Sequence, residues 1–162
     1  MKLGPDWAVR TLEHFLYNYF DELRQLQEMK NDIIDASPIQ SEFVDGKTRK
    51  PGDPTAAKGV KLASNRDIIK KERWLKVVKD VLKYAEAYDK AYGTKYSMLI
   101  NKKYFDELGE EQICNELNID RSTFYAWKKE ILSMGINLAA AMGLVRYEDF
   151  LKKSKTYNSK IG

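Results

Sequence analysis

Apolar side chains recur at spacings of three and four through residues 7–36, which hold no Gly or Pro: Leu12, Phe15, Leu16, Tyr19, Phe20, Leu23, Leu26, Ile33 and Ile34. That period predicts one amphipathic helix. Ser37 to Pro54 breaks it with Pro38, Pro51, Pro54, Gly46 and Gly52 around the basic cluster Lys47-Thr48-Arg49-Lys50, so this stretch reads as an exposed loop. Thr55 is placed to cap a short helix through Leu62. A second long stripe follows over residues 65–92: Ile68, Leu75, Val78, Leu82 and Ala85, widened by Val77, Val81, Tyr84 and Tyr88, with Gly93 as its stop. Such a face needs a partner, either the N-terminal helix in an antiparallel hairpin or its equivalent in a second subunit. Residues 97–108 then predict a helix with Met98, Leu99, Tyr104, Phe105 and Leu108 turned inward. The expected fold is all-α: an N-terminal helix (1–36), a basic loop (37–54), central helices (55–93), a three-helix helix-turn-helix domain (94–145) and a C-terminal tail (146–162). With apolar stripes of their own, the first helices are expected to fold even without residues 121–162.

The segment Glu110 to Lys129, EEQICNELNIDRSTFYAWKK, meets the constraints of a helix-turn-helix position by position. Its first helix must bury residues four apart, and Ile113 and Leu117 are so spaced, with the small Cys114 where the second helix crosses. The turn needs positive φ, which Asn118 tolerates best after Gly. Ile119 plugs the angle between the helices, Asp120 caps the second one, and Phe124 and Trp127 point into the core. Asp120, Arg121, Ser122, Tyr125, Ala126 and Lys129 are thereby turned outward. Arg121 suits a guanine edge, Ser122 and Tyr125 suit bases or phosphates, and Lys128 and Lys129 suit phosphates. Thr123, in the same first turn, together with Lys102 and Lys103 from the preceding helix, completes the candidate DNA-binding set. Beyond Lys129 the helix continues through Ile131, Leu132, Leu138 and Met142, with Gly135 as an interruption and Gly143 as the stop. This extension serves either a dimer or the molecule's own core.

Charge is distributed unevenly. Residues 1–45 carry 4 basic and 9 acidic side chains, residues 46–103 carry 16 and 6, and from Arg121 onward there are 8 and 3. A case for nucleic acid therefore rests on two cationic stretches rather than on the overall net charge of +4. The single Cys114 and the single His14 exclude an internal disulfide and a Cys/His zinc site, and there is no phosphate loop, nucleophile elbow or HExxH. Neither catalysis, nor a cofactor, nor a metal is expected, and His14 is assigned no chemistry. The longest apolar run, Ile136 to Val145, is interrupted by Asn137 and Gly143 and falls short of the roughly 20 residues of a membrane span. The first residues lack an apolar signal region, so a cytoplasmic protein is expected.

The Tyr-Phe helix end at residues 104–105, the acidic first helix and the run Ile119-Asp120-Arg121-Ser122-Thr123-Phe124-Tyr125 resemble region 4 of sigma factors. A wider set of motifs comprises Asp32-Ile33-Ile34-Asp35-Ala36-Ser37-Pro38, Asp53-Pro54-Thr55-Ala56-Ala57-Lys58, Arg121 to Trp127, and Ala141-Met142-Gly143-Leu144. Over roughly residues 7–145 it resembles the RinA/ArpU family of phage transcriptional activators. The resemblance implies a sequence-specific activator of phage late genes in a bacterial host, with double-stranded promoter DNA, host RNA polymerase and a second copy of the chain as partners. Asp120 stands where that family more usually has Ser; capping survives, but a carboxylate is placed near the DNA. A phage small terminase subunit, which oligomerises through helices and marks DNA for packaging, is the alternative. A third reading is a protein-binding domain whose acidic residues Glu107, Glu110, Glu111 and Glu116 meet a basic surface.

Overall fold

The computed structural model describes residues 3–35 and 65–151, and every one of its extended elements is helical. Two helices open the chain, α1 (Asp6–Tyr17) and α2 (Tyr19–Asp35), where the hydrophobic period predicts one. The break falls at Asn18, which leaves helical geometry at φ −111°, ψ 21°. Its side-chain amide donates to the carbonyl of His14 at 2.9 Å, which also accepts the Asn18 backbone amide at 3.0 Å. His14 also contacts Glu22 at 2.9 Å, and Lys71 reaches the same carboxylate at 2.7 Å. Burial pushes the Glu22 carboxyl up, but the hydrogen bonds and charges of Lys71 and His14 outweigh it and hold it below its usual value. The bend re-aims part of the predicted stripe. Leu12, Phe15, Leu16 and Leu26 are buried as expected, whereas Phe20 is 63% exposed and Leu23 and Ile34 are also exposed.

The central helix α3 (Arg66–Tyr92) matches its predicted stripe closely. Asn65 caps it by accepting the amides of Asp67 and Ile68, and Gly93 ends it at φ 69°. Ile68, Leu75, Val77, Val78, Val81 and Ala85 are buried, while Tyr84 points outward. The helix expected over residues 97–108 forms only as a short α4 (Tyr96–Ile100), continued by a π-helical turn (Asn101–Phe105). The wider turn carries Leu99, Ile100 and Tyr104 into the core together and leaves Met98 outside, which corrects its inward assignment. Asp89 ties this element to α3 by accepting the backbone amides of Tyr96 and Ser97 at 2.8 and 3.0 Å.

Helices α5 (Glu110–Leu117) and α6 (Arg121–Ala141) follow, then one further helical turn at residues 147–151. Gly135 does not interrupt α6. It is buried where α1 crosses, and a Cβ placed on it would stand 2.4 Å from Leu12 Cδ2. The second half of α6, through Ile131, Leu132, Ile136 and Ala139, joins a single core with α1 and α3, within which Phe15 stacks on Trp74 at 6.0 Å. Among the described residues no helix is long and apolar enough to cross a membrane. The basic loop, the short helix from Thr55 to Leu62 and the tail from Ser154 lie outside the described residues.

Candidate nucleic-acid interface

The α5–α6 corner is built by three residues. Asn118 adopts the left-handed conformation at φ 54°, ψ 50°. This lets the amides of Asn118 and Ile119 bond back to the carbonyls of Asn115 and Cys114 at 3.3 and 3.0 Å. Asp120 then caps α6, its Oδ1 accepting the Thr123 amide at 2.7 Å and the Ser122 hydroxyl at 3.0 Å. Those hydrogen bonds hold the Asp120 carboxyl below its usual pKa. Ile113, Leu117 and Phe124 are buried in the angle between the helices and Ile119 packs partly buried against them. Cys114 is half-buried in the same place; burial, then the nearby Glu110 and Asp120 carboxylates, push its thiol up, away from the reactive thiolate. Trp127 is half-buried rather than buried, with its ring edge-on to Tyr96 at 5.5 Å. The helix face that includes Trp127 meets the short α4, which covers only part of an indole.

Arg121, Ser122, Tyr125, Ala126 and Lys129 share one exposed face at the start of α6. Thr123 is half-buried beneath its cap. The remaining candidates have partners within the protein. Lys102 pairs with Glu116, Lys103 donates to the Tyr17 hydroxyl at 2.9 Å and stands over the Tyr17 and Tyr104 rings, and Lys128 lies 3.5 Å from Glu13.

One residue of this surface was not anticipated as a partner of the basic face. Glu110 presents Oε1 to Arg121 Nε at 2.6 Å and Oε2 to the Tyr125 hydroxyl, which donates at 2.5 Å. The guanidinium lies 5.8 Å from the Tyr125 ring centroid, so one carboxylate and one ring hold it from two sides. Glu110 and Arg121 are the first residues of adjacent helices, eleven positions apart, and no sequence period links such a pair; only the helix crossing brings them together. The exposed face thus sets Arg121 and Lys129 against Glu110 and Asp120 and is close to neutral overall. A cleft of about 390 Å³ lies beside it, between α5 and Arg121.

A family model matches residues 33–134, from the end of α2 through the first half of α6, and its description reads "Protein of unknown function (DUF1492)". No curated protein and no solved structure matches the chain.

Proposed function

The chain belongs to the DUF1492 family, and we propose that it is a sequence-specific DNA-binding protein, a transcriptional activator of phage late genes that acts at promoters as the RinA/ArpU family does. The observation that carries this reading is the register of the α5–α6 corner. A left-handed Asn118 and an Asp120 cap turn Phe124 inward and Arg121, Ser122, Tyr125, Ala126 and Lys129 outward on one face. In a helix-turn-helix the first residues of the second helix enter the major groove, and these are the side chains that would do so. Arg121 would exchange the Glu110 carboxylate for a guanine edge, and Lys129 would meet phosphate. The chemistry is recognition, with no bond made or broken.

Sequencing of DNA fragments protected by the protein would yield the operator. Arg121→Ala should then weaken operator binding by about 1–3 kcal/mol and leave the melting temperature unchanged, because the side chain is exposed. Absence of duplex binding even at low salt would overturn the reading. A phage small terminase subunit is favoured by a different observation, the exposed Tyr84, Tyr88 and Tyr92 at four-residue spacing along α3, which suit helical assembly. Light scattering separates the two: a closed ring supports the terminase, and a monomer or dimer supports the activator.

A further inference from the structure

At the end of the molecule away from the recognition residues, a groove of about 520 Å³ opens between the first turns of α3, the start of α1 and the segment after α6. Arg66, Lys70 and Arg73 line one wall at spacings of four and three, and Arg146 faces them from the other. The floor is apolar, with Ile69 and Leu144 half-buried, and Trp7 stands at the rim 44% exposed. Asp149 is the acidic residue of the lining, and its Oδ2 accepts the Arg146 amide at 3.2 Å.

The four cations are placed against electrostatics. Arg66, Lys70 and Arg73 repel one another along one helix stripe, and Arg66, in the first turn, also opposes the helix macrodipole. Two neighbouring cations of the same helix are neutralised, Lys71 by Glu22 and Lys76 by Asp80. Arg66, Lys70, Arg73 and Arg146 have no ion-pair partner among the described residues. An arrangement of this kind is relieved by an anion from outside.

We propose that this groove is a docking site for an acidic peptide segment of a partner protein, one that presents carboxylates to the Arg/Lys walls and an apolar side chain to Trp7. The cationic stripe from Arg66 to Arg73 rises about 10 Å, the length of about three extended residues, and alternate residues of an extended chain present their side chains to the same side. The apolar floor suits a peptide better than a bare phosphate backbone. If Arg121 marks the DNA-binding end, as proposed above, position disfavours DNA here: Arg121 and the groove lie at opposite ends of the 21-residue α6, about 30 Å apart. Between them Ile131, Leu132, Ile136 and Ala139 are sheathed in the core, so α6 does not offer one continuous face to a duplex.

The full chain is titrated with a short Asp/Glu-rich peptide carrying one central Phe, with its Asn/Gln counterpart, and with a DNA duplex. The acidic peptide should bind and change tryptophan fluorescence, the change should vanish in Trp7→Phe, and the amide counterpart should bind at least about tenfold more weakly. Arg73→Ala combined with Arg146→Ala should lower peptide affinity about tenfold with duplex affinity and melting temperature unchanged, while Arg121→Ala should do the reverse. Equal binding of the two peptides, or no peptide binding, overturns the proposal. So does a loss of duplex affinity in the double variant as large as that in Arg121→Ala, which would make the groove part of a DNA surface. If no duplex binds but the peptide pattern holds, the groove stands and the DNA reading falls.

Discussion

At the residue scale the decisive side chain is Glu110, because its carboxylate pairs with both Arg121 Nε and the Tyr125 hydroxyl. A carboxylate in that position holds the guanidinium in place; on the proposed DNA-binding reading it would have to be displaced before Arg121 reached a base, and it would repel phosphate. Glu110→Gln keeps the shape and removes the charge. It should strengthen duplex binding and flatten the discrimination between operator and unrelated sequence, with stability changed by less than about 1 kcal/mol because Arg121 is exposed and Glu110 only half-buried. Fluorescence anisotropy on both duplexes checks it; weaker binding to both would mean that Glu110 serves DNA by orienting Arg121 and not by competing for it. Asp89 acts at the same scale on stability. Burial raises its pKa, but the hydrogen bonds from Thr94 and from the amides of Ser97 and Tyr96 win and hold the carboxyl below the usual value. A lowered folded pKa means that its stabilisation is fully present above about pH 4, the unfolded value, and is lost as pH falls through the lower folded one. Asp89→Ala should therefore cost about 1 kcal/mol at neutral pH, as the loss of an N-cap acceptor does, and make the acid limb of the stability curve shallower. Denaturant melts across the acid range test this.

At the scale of single elements, α6 shows how a residue chosen against helix propensity can be required by packing. Ala in place of Gly135 would favour the helix by about 1 kcal/mol. Its Cβ, however, would meet Leu12 Cδ2 at 2.4 Å, and the fully buried Leu12 would have to repack, an overpacking that costs about 1–3 kcal/mol. Gly135→Ala should therefore lower the melting temperature, and Leu12→Ala should cost less in the Gly135→Ala background than in the natural sequence. If Gly135→Ala alone stabilises, α1 sits further from α6 than described here. The same element carries an exposed polar face on its first turns and core on its later ones, so Phe124→Ala, at a buried position, should cost about 3–5 kcal/mol while Arg121→Ala costs almost none.

Over the whole molecule, the helix-turn-helix is not packed apart from the N-terminal half. Removal of residues 121–162 would strip α6, with Ile131, Leu132, Ile136 and Ala139, out of the core it shares with α1 and α3, and uncover Leu12, which packs on Gly135. The apolar stripes of the first helices suggest that they fold on their own. The shared core leads to the opposite expectation: the fragment should be largely unfolded or aggregated by circular dichroism and light scattering, since helical stability in proteins comes mostly from burial of an amphipathic face.

The local features were legible in the sequence because short-range physics sets them. The α3 stripe follows from a period of 3.6, the end at Gly93 and the corner at Asn118 from tolerance of positive φ, and the Asp120 cap from a free amide three residues on. The inward and outward faces of α6 up to Lys129 follow from the same rules, and with them the exposed members of the candidate set. What the tertiary structure decided are contacts between groups distant in sequence, which no local period encodes. The bend at Asn18 depends on His14, Glu22 and Lys71 meeting across three helices, and it is what leaves Phe20 and Leu23 exposed. The Glu110 hold on Arg121 and Tyr125, the engagement of Lys102, Lys103 and Lys128, and the seat of Leu12 on Gly135 arise only when the elements cross. So does the cationic groove, where Arg66, Lys70 and Arg73 come to face Arg146, 73 positions beyond the nearest of them, only because α1, α3 and α6 bury a common core.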